Sequence, residues 1–198
     1  MLEHTTHPTT VFVVHGRDLH LRDAMFQILR AMSLQPLEWE QAVHATGSSA
    51  PYVQQVLDAA FARAQAVVVL LSGDDEARLQ RQYVCDHDPA FELHLTPQPR
   101  PNVLFEAGMA LARCPDRTVL LQIGDTRPFS DIAGRHMLRF TGTPETRNAL
   151  RSRLLAAGCI LTDTGSDWLT AGAQYFSAPA NATPRLLDLG LDNPKVFD

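Results

Sequence analysis

The stretch Thr10–Asp18, with the sequence TVFVVHGRD, decides the fold of this chain. Its first five residues are β-branched or aromatic, which predicts a short buried strand over Thr10–Val14. The polar turn His15–Asp18 ends that strand, and Asp18 is suited to cap a following helix. From Leu19 to Met32 the apolar residues recur at helical spacing. A strand that passes through a tight turn into a helix is the repeating unit of a parallel α/β sheet.

The same alternation of strands and helices continues along the chain. The pattern predicts these further elements: a weak strand over 35–38, a loop over 40–50, a helix opened by Pro51, a buried strand over 66–71, a polar stretch over 76–101 with a short helix around 76–84, a helix that carries Glu106, a strand over 118–123, a weak strand over 136–140 and a helix from Thr143 to near Gly158. We therefore predict a doubly wound sheet of about five parallel strands with helices on both faces. If the strand order is 2-1-3-4-5, the turns after the first and third strands flank the point where the order reverses. The predicted parts are an N-terminal extension over 1–9, one domain over 10–160 and a C-terminal tail or linker over 161–198.

Composition restricts the classes of function. The chain has 198 residues, of which 45% are hydrophobic and 20% charged, as expected of a globular domain. The formal net charge is −5 without any basic block, which argues against nucleic acid as a partner. The three cysteines, Cys85, Cys114 and Cys159, are far apart, which indicates a reducing, cytoplasmic compartment. Neither a signal peptide nor an apolar run long enough to span a membrane is predicted.

Glu106 is the only charged residue in the apolar run 103–112, VLFEAGMALA. A carboxylate in such a segment is costly unless water reaches it or the protein uses it. Pro101-Asn102 is a plausible helix start, and the helix dipole would keep a nearby carboxylate ionised. We therefore expect a fixed negative charge at the edge of a core helix. The alternative is a solvated side chain that only complements the dipole.

Polar turns follow the predicted strands at the edge where doubly wound sheets bind ligands. In the first turn, Gly16 lets the backbone approach a ligand, Arg17 can pair with phosphate, and the helix start attracts anions. In the turn after the third strand, Ser72 and Asp74 are placed to bind ribose hydroxyls. Each turn also has a simpler interpretation, because capped strand-to-helix turns and polar strand exits are common.

Other familiar sites lack support in the sequence. His87 lies among Asp86, Asp88 and Cys85, but zinc-ligand spacings are absent, so no metal site is predicted. No Gly-x-Gly-x-x-Gly, P-loop or Gly-x-Ser-x-Gly motif occurs, so neither those nucleotide loops nor serine hydrolase chemistry is indicated.

Two segments resemble one protein family. The run 101–108, PNVLFEAG, is similar to the N-V-x-F-E-x-G signature of bacterial TIR-like domains, and 11–18, VFVVHGRD, is similar to the opening of that family. The resemblance covers roughly residues 9–160 and implies a flavodoxin-like fold. Members of the family occur in anti-phage defence, and some are fused to STING-like or other cyclic-nucleotide sensors.

The resemblance implies an NAD+ glycohydrolase that cleaves the bond between nicotinamide and ribose. NAD+ is then the substrate, and no cofactor is expected. The family's catalytic glutamate falls on Glu106. The implied nucleotide-binding residues are His15, Gly16, Arg17 and Asp18 of the first turn, Gly47 of the mobile BB loop, Ser72, Asp74 and Asn102. The family also implies activation by self-association through TIR–TIR contacts, with a cyclic-nucleotide sensor domain or protein as a partner.

Two alternative functions stay open on the sequence. One is a nucleoside or nucleotide N-glycosidase or deoxyribosyltransferase, which has a similar layered sheet and a glutamate nucleophile. The other is a non-catalytic TIR module that binds a nucleotide or serves as a scaffold. A phosphate-receiver domain agrees poorly, because Asp18 is single and Asp74 lies beyond a Ser-Gly pair. The activating signal, the oligomeric state and the choice between ADP-ribose and a cyclised product also stay open.

Overall fold

A computed structural model describes residues 6–129, 134, 136–162 and 165–176. Seven strands occur in these residues: β1 His7–Val14, β2 Gln35–Leu37, β3 Ala64–Ser72, β4 Asp75–Ala77, β5 Thr96–Gln98, β6 Thr118–Ile123 and β7 Leu138–Arg139. Five of them form a parallel sheet with the order β2-β1-β3-β6-β7. The predicted five-stranded parallel sheet is confirmed. Counted along this sheet alone, its order is 2-1-3-4-5, the order in which the turns after the first and third strands flank the reversal point.

Helices cover both faces of the sheet. Those in the described residues are α1 Leu19–Ala31, α2 Trp39–Ala45, α3 Val53–Arg63, α4 Ala90–Leu93, α5 Pro101–Arg113, α6 Pro144–Ala156 and α7 Ala173–Phe176. One buried layer packs the sheet against α1 and α6, and the other packs it against α3 and α5. β3 contributes alternate residues to the two layers, which explains why its sequence is apolar throughout. None of the described helices is long and apolar enough to cross a membrane.

The two helix caps and the helix-starting proline that the sequence predicts are present in the structure. Asp18 caps α1, since its Oδ1 accepts a hydrogen bond of 2.9 Å from the backbone N–H of Leu21. α5 begins at Pro101, as predicted from the proline. Thr143 caps α6 through its side-chain oxygen.

Two predicted segments were wrong. The first half of the predicted loop over 40–50 is helical, because α2 extends from Trp39 to Ala45. At its start the backbone N–H of Glu38 donates to Gln41 Oε1 (3.1 Å), and the helix buries Ala42. The predicted short helix around 76–84 is instead β4 followed by a single 3-10 turn over Arg81–Tyr83. β4 pairs antiparallel with β5, a distant segment, so no local pattern could indicate it.

The beginning of the predicted C-terminal tail packs on the domain. Trp168, in the 3-10 turn Asp167–Leu169, belongs to the core layer of α1. The guanidinium of Arg147 is fully buried and donates to the carbonyls of Gly142 (2.6 Å), Trp168 (2.8 Å) and Ala171 (2.7 Å). Residues 177–198 and 1–5 lie outside the described residues, and the division at 160 stays a prediction.

Candidate active site

A cavity of about 240 Å³ opens at the carboxyl ends of β1 and β2. Side chains from α1 and from α5 also line it. Its lining residues are Phe12, Val13, Val14, His15, Arg22, Phe26, Leu37, Glu38, Trp39 and Glu106. The cavity therefore occupies the edge of the sheet at which doubly wound folds bind ligands.

Glu106 reaches this cavity from the second turn of α5 and is partly buried. Within the described chain its carboxylate has neither a hydrogen bond nor an ion pair. Burial raises the pKa of Glu106 to about 7. The expectation that the helix dipole holds this group ionised was therefore wrong: the dipole acts mainly within the first turn, and desolvation dominates one turn further on.

His15 shares the cavity with Glu106. Its ring Nδ1 lies 3.0 Å from the carbonyl oxygen of Gly16. Burial lowers the pKa of His15 and is the largest effect; the hydrogen bond to the Gly16 carbonyl opposes it, the positive charge of Arg22 adds to it, and Asp74 and Glu38 oppose it more weakly. The imidazole is therefore neutral at neutral pH and can exchange a hydrogen bond with a ligand without contributing charge.

The two polar turns predicted to face a ligand bind each other. One oxygen of the Asp74 carboxylate accepts hydrogen bonds from the backbone N–H groups of Arg17 and Asp18, the second at 3.3 Å. Its other oxygen accepts from the Ser72 hydroxyl at 2.6 Å. A Cβ on Gly16 would collide with the same carboxylate, so glycine is required there for close approach. The anion-binding amides expected for phosphate thus already hold an internal anion.

The remaining predicted nucleotide-binding residues lie away from the cavity. The Arg17 side chain is exposed, and Asp18 accepts a hydrogen bond from the Tyr175 hydroxyl at 2.7 Å. Gly47 is exposed after α2 with a φ of 70°, and Asn102 is exposed at the start of α5. Of the predicted site residues, His15 and Glu106 line the cavity.

Eight of the ten lining residues were not predicted as site residues, and four of these eight lie outside the strands. Arg22 and Phe26 are one turn apart on α1, and Glu38 and Trp39 follow β2 directly. Trp39 is 38% exposed in the structure, but nothing in the sequence around it distinguishes it as a site residue. Among the described residues, no group of three or more His, Cys, Asp or Glu side chains is arranged to hold a metal ion.

The parallel sheet, with its reversal of strand order and its edge cavity, defines a doubly wound α/β protein whose cavity lies at the edge where such sheets bind ligands. The family model described as "CAP12/Pycsar effector protein, TIR domain" matches residues 10–142, and the chain belongs to this bacterial anti-phage TIR-like family. The protein is therefore a TIR-type defence effector. No curated protein matches the chain.

Proposed function

We propose that the domain is an NAD+ glycohydrolase and that Glu106 is its catalytic carboxylate. The observation that carries the proposal is the partly buried and unpartnered Glu106 in one cavity with His15 and Trp39. A structural carboxylate at this depth would be expected to have a partner, because an unpaired buried charge destabilises the fold. Such perturbed carboxylates occur often at functional sites.

The chemistry requires little beyond what this carboxylate supplies. Nicotinamide leaves as a neutral ring when its bond to ribose C1′ breaks, so no acid has to protonate the leaving group. The ribose acquires the positive charge of an oxocarbenium-like transition state, and a nearby carboxylate stabilises it. Binding of the cationic nicotinamide also favours the ionised form of Glu106, because opposite charges lower a carboxyl pKa.

A water molecule then completes the reaction. Its oxygen bonds to C1′ while one proton is released, and a carboxylate whose pKa is near 7 is suited to accept that proton. The products are nicotinamide and ADP-ribose. If the adenine ring attacks C1′ in place of water, the product is a cyclised ADP-ribose.

The proposal includes activation by self-association and by a cyclic-nucleotide sensor. Next to Glu106, Phe105 is 66% exposed on α5. An apolar side chain beside the catalytic residue would give a neighbouring subunit a contact at the site itself. We therefore expect NAD+ cleavage to depend on protein concentration, and the first experiment varies that concentration.

The first experiment measures NAD+ loss and product identity by chromatography across protein concentrations, with deoxynucleosides as competing substrates. We expect Glu106→Gln to reduce turnover by about 100-fold or more, as does loss of one electrostatic stabiliser. The control is Glu145→Gln, the same change in the exposed first turn of α6. Equal NAD+ loss by wild type and Glu106→Gln contradicts the proposal, as does cleavage of deoxynucleosides alone.

A pH profile adds a second readout. We expect kcat/KM for NAD+ to rise with pH and level off above an apparent pKa of about 7, the value to which burial raises Glu106 in the free protein. An activity that is flat from pH 5 to 8 would show that the ionisation of Glu106 is not required.

A further inference from the structure

Arg22 contributes a positive charge to the cavity that contains Glu106. It projects from the first turns of α1, on the same side of the helix as Phe26, and lines the cavity. In the part of the chain that the structure describes, the lining includes His15 and Arg22 as its basic residues, and His15 is neutral at neutral pH. Arg22 is therefore the cation that a bound ligand meets.

The guanidinium of Arg22 is positioned but weakly engaged. It lies 5.8 Å from the centre of the Phe26 ring, which restrains its plane. Its Nε and Nη2 both donate to one oxygen of Asp23, at 2.9 and 2.7 Å. The Arg22 and Asp23 side chains remain 29% and 54% exposed, and an ion pair that is so exposed contributes little to stability. A ligand anion can therefore take the place of Asp23.

The first turn does not offer the same charge to the cavity. The Arg17 side chain is exposed and does not line the cavity. The backbone amides of Arg17 and Asp18 already hold the Asp74 carboxylate. An anionic part of a ligand that occupies the cavity thus has Arg22 as its available partner.

The size of the cavity restricts which part of a dinucleotide enters. A volume of about 240 Å³ is below the range usual for sites that enclose a drug-sized ligand. With Glu106 as the carboxylate that faces the reacting ribose, the nicotinamide and its ribose would occupy the cavity and the adenosine would lie outside it. The pyrophosphate that joins the two nucleosides would then lie at the mouth of the cavity.

We propose that Arg22 binds the phosphate groups of the dinucleotide by replacing Asp23 with phosphate oxygens. This inference rests on the proposed function for the identity of the ligand. Guanidinium is suited to the role because its fork of N–H donors matches two phosphate oxygens. Asp23 then acts against binding, since it competes for the same donors.

The test measures equilibrium binding of ADP-ribose, which carries the two phosphates and lacks the bond to be cleaved, by titration calorimetry. We expect Arg22→Gln to weaken binding by about 10-fold or more and Arg22→Lys to weaken it less, because a charge-assisted hydrogen bond is lost or altered. Asp23→Asn should tighten binding. The control is Arg63→Gln, the same change at an exposed position in the last turn of α3.

Turnover provides a second comparison. Arg22→Gln should raise KM for NAD+ and leave KM for nicotinamide riboside, which has no phosphate, unchanged. Unchanged ADP-ribose binding by Arg22→Gln overturns the inference, as does absence of ADP-ribose binding by the wild type. Loss of binding in Arg17→Gln without loss in Arg22→Gln also overturns it. If Arg22-dependent binding occurs but the wild type does not cleave NAD+, the inference stands and the proposed function fails.

Discussion

At the scale of single residues, Glu106 combines two properties that oppose each other in a stable fold. It is partly buried, and it lacks a partner among the described residues. The result is a carboxyl group whose pKa is about 7, so a small change in its surroundings decides its charge. A bound cation would be such a change. This is the behaviour expected of a group that is used rather than of one that supports the fold.

The raised pKa of Glu106 predicts a pH-dependent gain in stability on Glu106→Gln. The folded state binds this proton more tightly than the unfolded state, so wild-type stability falls as pH rises from about 4.5 to 7. At pH 8 the Gln variant should be more stable by about 1–2 kcal/mol, an amount already reduced for partial exposure. At pH 4 the two proteins should have the same free energy of unfolding, measured by urea denaturation.

The control variant, Glu145→Gln, should change the free energy of unfolding in the opposite direction. A hydrogen bond from its own backbone, and then one from Thr143, lowers the pKa of Glu145. Its contribution is therefore present above the unfolded pKa and is lost as pH falls through the folded pKa. Glu145→Gln should lower the free energy of unfolding at pH 8. A stability difference for Glu106→Gln that does not depend on pH would contradict the assigned ionisation.

At the scale of elements, the sequence correctly predicted the helices and strands that local interactions largely determine. α1 and α5 have strong periodicity and recognisable starts, and they lie where they were predicted; β1 also lies there but begins at His7, inside the predicted N-terminal extension. α2 is only seven residues long and β4 depends on a partner about twenty residues away, so neither left a clear local pattern. These elements form because tertiary contacts stabilise them.

The candidate site was predictable only in part for a related reason. Glu106 was visible because a charge stands out in an apolar run, and His15 because it ends a strand. Arg22 and Trp39 are ordinary residues of helix starts until the fold brings them to one cavity. Asp74 was assigned to a ligand, yet its carboxylate holds the neighbouring turn, because a sequence does not indicate which amides an anion will meet.

The segment 165–176, which follows α6 and is held by Arg147, is the subject of the second stability prediction. Arg147→Met would leave the carbonyls of Gly142, Trp168 and Ala171 without their buried donor, at a cost of about 2–4 kcal/mol. The loss should appear first as faster amide hydrogen exchange in residues 165–176, since these depend on that donor. Arg63→Met, at an exposed position in the last turn of α3, is the matched control. Equal exchange in both variants would show that Arg147 does not hold this segment.

At the scale of the whole molecule, the family match ends earlier in the chain than the folded domain does. The match ends at residue 142, but α6 and Trp168 cover one face of the sheet beyond it. The core layer on that face includes Met25, Ile28 and Leu121, all fully buried. The sheet therefore needs residues outside the recognisable family segment to exclude water from one side.

That dependence predicts a graded response to truncation. A chain that ends at residue 142 should aggregate, because the apolar face normally covered by α6 becomes exposed. A chain that ends at residue 162 retains α6 and should stay folded with a lower Tm than the full chain, since it loses the buried Trp168. Size-exclusion chromatography and thermal denaturation distinguish these outcomes. A monomeric, cooperatively folding chain of 142 residues would contradict the prediction.

The Asp18 carboxylate connects parts of the chain that are distant in sequence. One of its oxygens fixes the start of α1, and the other accepts the hydroxyl proton of Tyr175, 157 residues further along. A fluorine atom placed on the Tyr175 ring would therefore report, by its NMR chemical shift, on the conformation of the turn beside the cavity. The fold thus offers a spectroscopic probe of ligand occupancy at a position that the ligand itself need not touch.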